Sequence, residues 1–348
     1  MKKKRKLFRN LIVFILLIIL TFYILLKDQN ILEVFQVMSS AKIKYISIAI
    51  ACMFLYMVCE AINIRRTLNT FNEKNSFLKD IKYALIGFFF SSITPAASGG
   101  QPMQIYYMHK DNISVANSTL ALLINLTSMQ IITISFALIS LFFNYKYLTP
   151  ALLIFFIIGI LLNLSALVLL LIGIVSKRMS KWLINISIKL LSFFKVKNIE
   201  QKRDRFEEEL EKYQAGAIYI KNNKLLMLKT IVTTGIQFIL YYSITYWTYC
   251  SLGLSGHNIF EIITMQSVLY ATVSGIPSPG SVGVTEGAFI EIFKNVFPSA
   301  IMSSAVLLNR GVNFYLFVLI SVIVVIINDL REKDETFEID EGKIADKT

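Results

Sequence analysis

Apolar runs long enough to cross a bilayer recur from one end of the chain to the other, with short polar loops between them. About 20 apolar residues suffice for one crossing. Six stretches reach that length, at residues 7–26, 45–64, 114–143, 150–175, 230–252 and 301–327. Ten-residue segments of alternating polarity are missing, so the pattern predicts helices and not the strands of an outer-membrane barrel. The expected class is an all-α polytopic membrane protein.

Two further segments, 81–108 and 259–297, fit no simple span. The first centres on Ser91-Ser92-Ile93-Thr94-Pro95-Ala96-Ala97-Ser98-Gly99-Gly100-Gln101-Pro102. The second centres on Ser274-Gly275-Ile276-Pro277-Ser278-Pro279-Gly280-Ser281-Val282-Gly283. Each has an apolar arm, a break rich in Pro, Gly and Ser, and a second apolar arm. Backbone groups freed by such a break cannot face lipid, because each would cost several kcal/mol unpaired. Two arrangements satisfy this. One is a hairpin that enters the membrane and returns; the other is a kinked full span followed by a surface helix. The arms are mostly shorter than a crossing, which favours hairpins, with Pro95, Pro277 and Pro279 as the structural breaks.

Charge sets the expected topology. Lys2, Lys3, Lys4, Arg5 and Lys6 precede the first span, no small-x-small cleavage pattern follows it, and an uncleaved helix with a cytoplasmic N-terminus is expected. Arg65, Arg66, Lys74 and Lys79 mark the loop after the second span as cytoplasmic. The stretch 176–229 carries 13 Lys and Arg and forms a basic cytoplasmic connector of one or two surface helices. A solvated connector fits its mixed charges better than a docking surface. Residues 1–328 form one transmembrane domain, and 329–348 an acidic, mobile cytoplasmic tail with eight acidic and four basic residues. Three crossings separate the two broken segments, so they enter from opposite sides. About six full spans plus two re-entrant hairpins in an inverted repeat is the pattern of a transporter with its site at the midplane.

Composition narrows the function. Of 348 residues, 55% are apolar and 17% charged, which excludes a soluble enzyme and a disordered chain. A net charge of +12 would suggest nucleic acid in a soluble protein. Here it reads as positive-inside topology and attraction to anionic lipid. Cys52, Cys59 and Cys250 lie in apolar runs, and His109 and His257 are isolated at span ends. No metal site and no cofactor is expected. Walker, nucleophile-elbow and Rossmann patterns are absent from the sequence, so nothing points to nucleotide-driven energy.

Arg310 lies about ten positions inside the last span, where a charge costs at least roughly 2.5 kcal/mol on insertion scales. It should face the bundle interior and pair with a carboxylate or an anionic ligand such as a phosphate. Glu286 is the obvious partner. It could neutralise Arg310, hold a proton or bind a cationic headgroup. Gly280, Gly283 and Glu286 recur every third residue and share a helix face that permits close approach. In the first break, Gln101 takes the place of Glu286, within two or three residues, when Pro95 is matched to Pro277. Ser98, Gly99 and Gly100 would offer backbone N–H groups to an anion at a half-helix N-terminus. Glu291 and Lys294 are spaced for a local ion pair. Asn125, Thr127, Ser128 and Gln130 are expected to join helices by hydrogen bonds. Tyr241, Tyr242, Tyr246, Trp247 and Tyr249 read as an interfacial aromatic belt.

These motifs resemble the flippase-like transmembrane domain of lysylphosphatidylglycerol synthases, including its short stand-alone members. The resemblance rests on Ile93-Thr94-Pro95 through Gly99-Gly100-Gln101-Pro102, on Pro277 through Glu286, on Arg65-Arg66 and on Arg310, and spans the chain to about residue 327. It implies a bacterial plasma-membrane protein, both termini cytoplasmic, that moves or modifies phospholipid headgroups, with aminoacylated or anionic phosphatidylglycerol-type lipids as substrates. No counterpart of the full-length proteins' synthase domain is expected within these residues, since their longest polar stretch is about 50 residues. Lysyl transfer by the chain alone is therefore not expected, despite the family name. Many short members carry an acidic-basic pair where this chain has Asn125-Leu126-Thr127, so the resemblance does not fix the identity of the headgroup. The leading expectation is a lipid flippase or scramblase. The alternatives are a component of lipid aminoacylation and an accessory protein that delivers lipid-linked sugar to a glycosyltransferase partner.

Overall fold

The computed structural model describes residues 15, 16, 19, 23, 26, 31–144, 149–193, 203–274, 276 and 278–345; for 144, 175, 180, 203–206 and 331–345 it describes backbone alone. Every regular element among them is helical. Their order is α1 (Ile31–Ser39), α2 (Ile43–Thr70), α3 (Phe77–Ser92), α4 (Gly100–Lys110), α5 (Val115–Asn144), α6 (Pro150–Val175), α7 (Lys177–Phe193), α8 (Arg203–Asn222), α9 (Lys224–Ser251), α10 (Ile259–Val273), α11 (Val284–Phe293), α12 (Met302–Arg310) and α13 (Leu316–Ala345). Local signals start several of them. Ser76, Thr149, Asn223 and Asn258 each accept a backbone N–H three residues on, which satisfies a donor that the first turn leaves unpaired.

Five apolar helices are long enough to cross a membrane: Ile43–Thr70, Val115–Phe143, Pro150–Ile174, Lys224–Ser251 and Ser299–Leu330. They coincide with five of the six predicted spans. The predicted first span, 7–26, lies almost wholly outside the described residues, as does Pro277. The last helix continues through 329–345, the stretch read from sequence as a mobile tail.

Helices α2 and α9 form an antiparallel pair in contact along their length. Tyr45 stacks on Trp247 with centroids 6.2 Å apart, Tyr56 meets Tyr241 at 5.3 Å, and Asn63 donates to Thr234 at 3.0 Å. Each is followed by a broken unit. After α2, the arms α3 and α4 pack on each other around a turn at Pro95–Ala97; after α9, α10 and α11 do so around a turn at Pro279–Ser281. Helix α3 packs against α13, α10 packs against α5, and the two turns meet.

The connector is not simply solvated. Tyr213, Ala217 and Ile220 are buried in one cluster with Ala116, Leu120 and Ile174, and the Tyr213 hydroxyl donates to the Gly173 carbonyl at 2.8 Å. These three residues fall on one face of α8 at helical spacing. The run of charges just before them, from Lys202 to Lys212, masked that face in the sequence.

Candidate functional site

The second break is built around the predicted pair. Arg310 ends α12, and a π-helical turn, Gly311–Tyr315, follows at once. Such a turn re-aims side chains and recurs at functional sites. Here it places the Phe314 and Tyr315 rings 4.2 and 5.8 Å from the guanidinium. Arg310 Nε donates to Glu286 Oε1 at 2.8 Å and Nη2 donates to the Gly280 carbonyl at 3.1 Å. The other Glu286 oxygen accepts the Gly283 N–H at 2.6 Å, while the Tyr315 hydroxyl donates to Oε1 at 3.4 Å. Arg310 is 4% exposed and Glu286 2%. The charges thus neutralise one another and close the break: Glu286 holds the start of α11, and Arg310 ties it to the turn. Gly280 sits at φ +58°, and a Cβ there would strike the Phe314 ring and approach the Ser92 carbonyl.

The first break has no charge. Ala96 and Ala97 take φ of 51° and 53°, and Pro95, Ala96, Ala97 and Ser98 are exposed. The Gly99 N–H donates to Thr94 Oγ1 at 2.9 Å, and Thr94 in turn donates to the Phe90 carbonyl at 2.6 Å. One of the amides proposed for an anion is therefore already used within the turn. A Cβ on Gly100 would collide with Ser91 and lie 2.9 Å from the Gly87 carbonyl, so this glycine sets how closely α3 and α4 approach. In both units a proline-led turn is followed by a glycine at the N-cap, Gly99 or Gly283. The counterpart of Pro95 is thus Pro279. That register pairs Gln101 with Thr285, one residue before Glu286.

A cavity of about 370 Å³ opens beside the first break. Ser98 and Gln101 line it. Arg310, Glu286, Gly99, Gly100, Gly280 and Gly283 do not. Its walls come from α2 (Tyr56, Glu60), the first unit (Ser91, Gln104), α5 (Asn125, Gln130, Thr133), α6 (Asn163) and α10 (Tyr270, Ser274). No Lys, Arg or His is among the described lining residues, and Glu60 is the one carboxylate. Gln104 Nε2 donates to Glu60 Oε1 at 3.2 Å and to the Tyr83 carbonyl at 3.1 Å, which fixes the amide as a donor. Gln130 Oε1 is buried without a partner. Asn125 accepts from Asn63 at 3.3 Å, and Asn63 accepts from Arg66 at 2.9 Å. A polar string thus leads from the cavity to the end of α2.

A larger cavity, about 470 Å³, lies where the loop before α5 meets α7 and α8. Its carboxylates are committed. Glu209 accepts the Ala116 N–H at 2.6 Å and Glu73 accepts from Asn117 at 2.8 Å, capping the start of α5. The first cavity, deep among the apolar helices and poor in satisfied acceptors, is the better candidate.

Glu60 and Gln104 were missed in the sequence. The signal for Glu60 was the one that exposed Arg310, a lone charge inside an apolar span. Gln130 and Asn125, read as helix-joining residues, line the cavity. Tyr242 and Tyr249 are buried, at 0% and 2% exposure, and so is their role: Tyr241 and Tyr242 pack with Tyr56, Phe238 and Tyr270 behind the cavity. Tyr242 and Tyr249 are thus core aromatics and not belt residues, whereas Tyr246 and Trp247 stay half-buried. Glu291 and Lys294 form the expected exposed pair.

Apolar helices of crossing length around a buried polar cavity define a multi-pass membrane protein. The chain belongs to the lysylphosphatidylglycerol synthase TM region family, whose model matches residues 10–321. It is similar to the UPF0104 membrane protein PH1989 of Pyrococcus horikoshii, with 24% identity over 318 residues, covering 88% of this chain and 93% of that protein.

Proposed function

We propose that the chain moves phospholipid headgroups across a membrane through the cavity beside the first break, as a flippase or scramblase. The observation that carries this reading is a polar cavity of about 370 Å³ enclosed by helices whose outer faces are apolar. A cavity this polar serves no purpose in packing and is costly to keep within a bilayer bundle. In this reading the two broken units are re-entrant hairpins related by an inverted repeat, with their turns meeting near the midplane. The matching partnerships of α2 with α9, and of α3 with α13 against α10 with α5, support that relation. Both termini lie in the cytoplasm of a bacterial plasma membrane, and acyl chains stay in lipid while the headgroup crosses.

The lining also bears on the substrate. Its carboxylate and amide oxygens accept hydrogen bonds, and no cation lies among its described lining residues to hold a phosphate. It suits a headgroup that brings donors, such as the ammonium of an aminoacylated lipid. Arg310 then acts as the brace of the second hairpin, not as the phosphate ligand expected from sequence.

Fluorescent phospholipids in liposomes containing the purified chain test the reading. Movement is expected with the native chain, and a block of about tenfold or more with Leu126→Trp, which fills the cavity from α5. Absence of movement in a correctly inserted native chain overturns the reading; unchanged movement in the variant removes the cavity from it.

A further inference from the structure

Glu60 needs a counter-charge whenever the cavity holds no headgroup. It sits in the middle of an apolar helix, where an uncompensated carboxylate is costly. Among the described residues its one hydrogen-bond donor is the neutral amide of Gln104, at 3.2 Å. The described groups facing it supply no cation. Its own helix adds Tyr56 and Cys59, α10 adds Tyr270, and α9 adds Tyr241, packed against Tyr56. Helix α5 contributes amides and a hydroxyl. Two cations of the described bundle are committed elsewhere: Arg66 donates to Asn63 and Thr233 at 2.9 Å each, and Arg310 is paired with Glu286.

Resting on the translocation reading, we propose that Glu60 carries a proton while the cavity is empty of headgroup and releases it when a headgroup ammonium arrives. The Glu60 O–H bond breaks, the electron pair stays on the carboxylate oxygen, and the proton passes to water. The ammonium keeps its own protons and becomes the ion-pair partner. Nothing is oxidised or reduced. The cavity is neutral before the exchange, as the acid, and neutral after it, as the ion pair. One positive charge enters for each that leaves, so a proton gradient can drive an ammonium headgroup the other way. Linkage makes the effect reciprocal: whatever factor the headgroup takes from proton affinity, acid takes from headgroup affinity. A lipid lacking an ammonium group gains nothing from the exchange.

Two measurements on the purified full chain test this. Infrared difference spectra of the lipid-free protein should show a protonated-carboxyl band that is absent in Glu60→Gln and kept in Glu60→Asp. Adding short-chain phosphatidylethanolamine should remove the band and release about one proton per lipid, read by calorimetry in buffers of different ionisation enthalpy. Short-chain phosphatidylglycerol should leave it unchanged. A band that survives in Glu60→Gln, or that phosphatidylethanolamine leaves in place while binding, overturns the proposal. Lipid movement without any such band keeps translocation and overturns the proton exchange. A Glu60-dependent band in a chain that moves no lipid keeps the protonated site and overturns translocation.

Discussion

The two broken units use one turn to opposite ends. Each has a proline-led turn, a residue of positive φ within it and a glycine at the next N-cap. The second is locked at the break by a buried ion pair and a ring stacked on the guanidinium. The first is uncharged and exposed at its break, beside the cavity, and is tied at its base. There Lys82 of α3 donates at 2.7 Å to Asp111, the residue that closes α4, and at 3.1 Å to Asn328 of α13. Tyr83 donates to the same carboxylate. A unit braced at its base leaves its tip available to a ligand, whereas a unit braced at its tip serves as the wall against which the first is held.

The largest effect expected from this contrast is at Arg310. Arg310→Ala leaves Glu286 buried and unpaired, which should cost about 3–5 kcal/mol. Thermal unfolding in detergent should show a large fall, with Arg310→Ala plus Glu286→Ala losing less than the sum of the singles. A variant as stable as the native chain would mean that the second break is not held by this pair. Gly280→Ala comes next. It must adopt positive φ and displace Phe314, at a cost of about 1–3 kcal/mol; an unshifted melting temperature would remove the steric argument.

The base of the first unit should respond to acid. Burial opposes the charged form of Asp111, yet hydrogen bonds from Lys82 and Tyr83 and the charges of Lys82 and Lys79 hold its carboxyl below the usual range. Its folded value lies under the unfolded one, so its contribution is complete above the ordinary carboxylate pKa of about 4 and is lost as pH falls through the depressed value. Asp111→Asn should cost about 1 kcal/mol at neutral pH and flatten the acid limb of the stability profile. Identical acid limbs would place the tie elsewhere. The smallest effect has the opposite sign to Gly280→Ala. Ala97→Gly relieves positive φ in the exposed turn and should leave stability unchanged or raise it by up to about 1 kcal/mol. A clear loss would show that the first break depends on its alanine methyls.

Five spans, the two breaks and the Arg310–Glu286 pair were legible because each rests on a local or one-dimensional signal: apolar length, clustered Pro and Gly, and a charge where none should be. Tyr242 and Tyr249 were misread as belt residues because aromatic residues near a span end look alike whether they face headgroups or a neighbouring helix. Tyr242 is decided by Phe136, Phe238 and Tyr270, which come from three separate helices. The buried face of α8 was hidden for a similar reason, since its apolar residues have value only where α5 and α6 supply the other half of the cluster.

By itself, the sequence determined a polytopic helical bundle and two interruptions that cannot face lipid, because the cost of unpaired backbone and buried charge depends on composition and depth alone. Only the tertiary structure decided which interruption is sealed and which opens on a cavity. That choice depends on Glu60, Gln104 and Asn125 lining one cavity, and they lie on three separate helices. Charge neutrality within the bundle is a property of the assembled neighbours. Arg310 found its carboxylate there; among the described residues Glu60 found only the Gln104 amide.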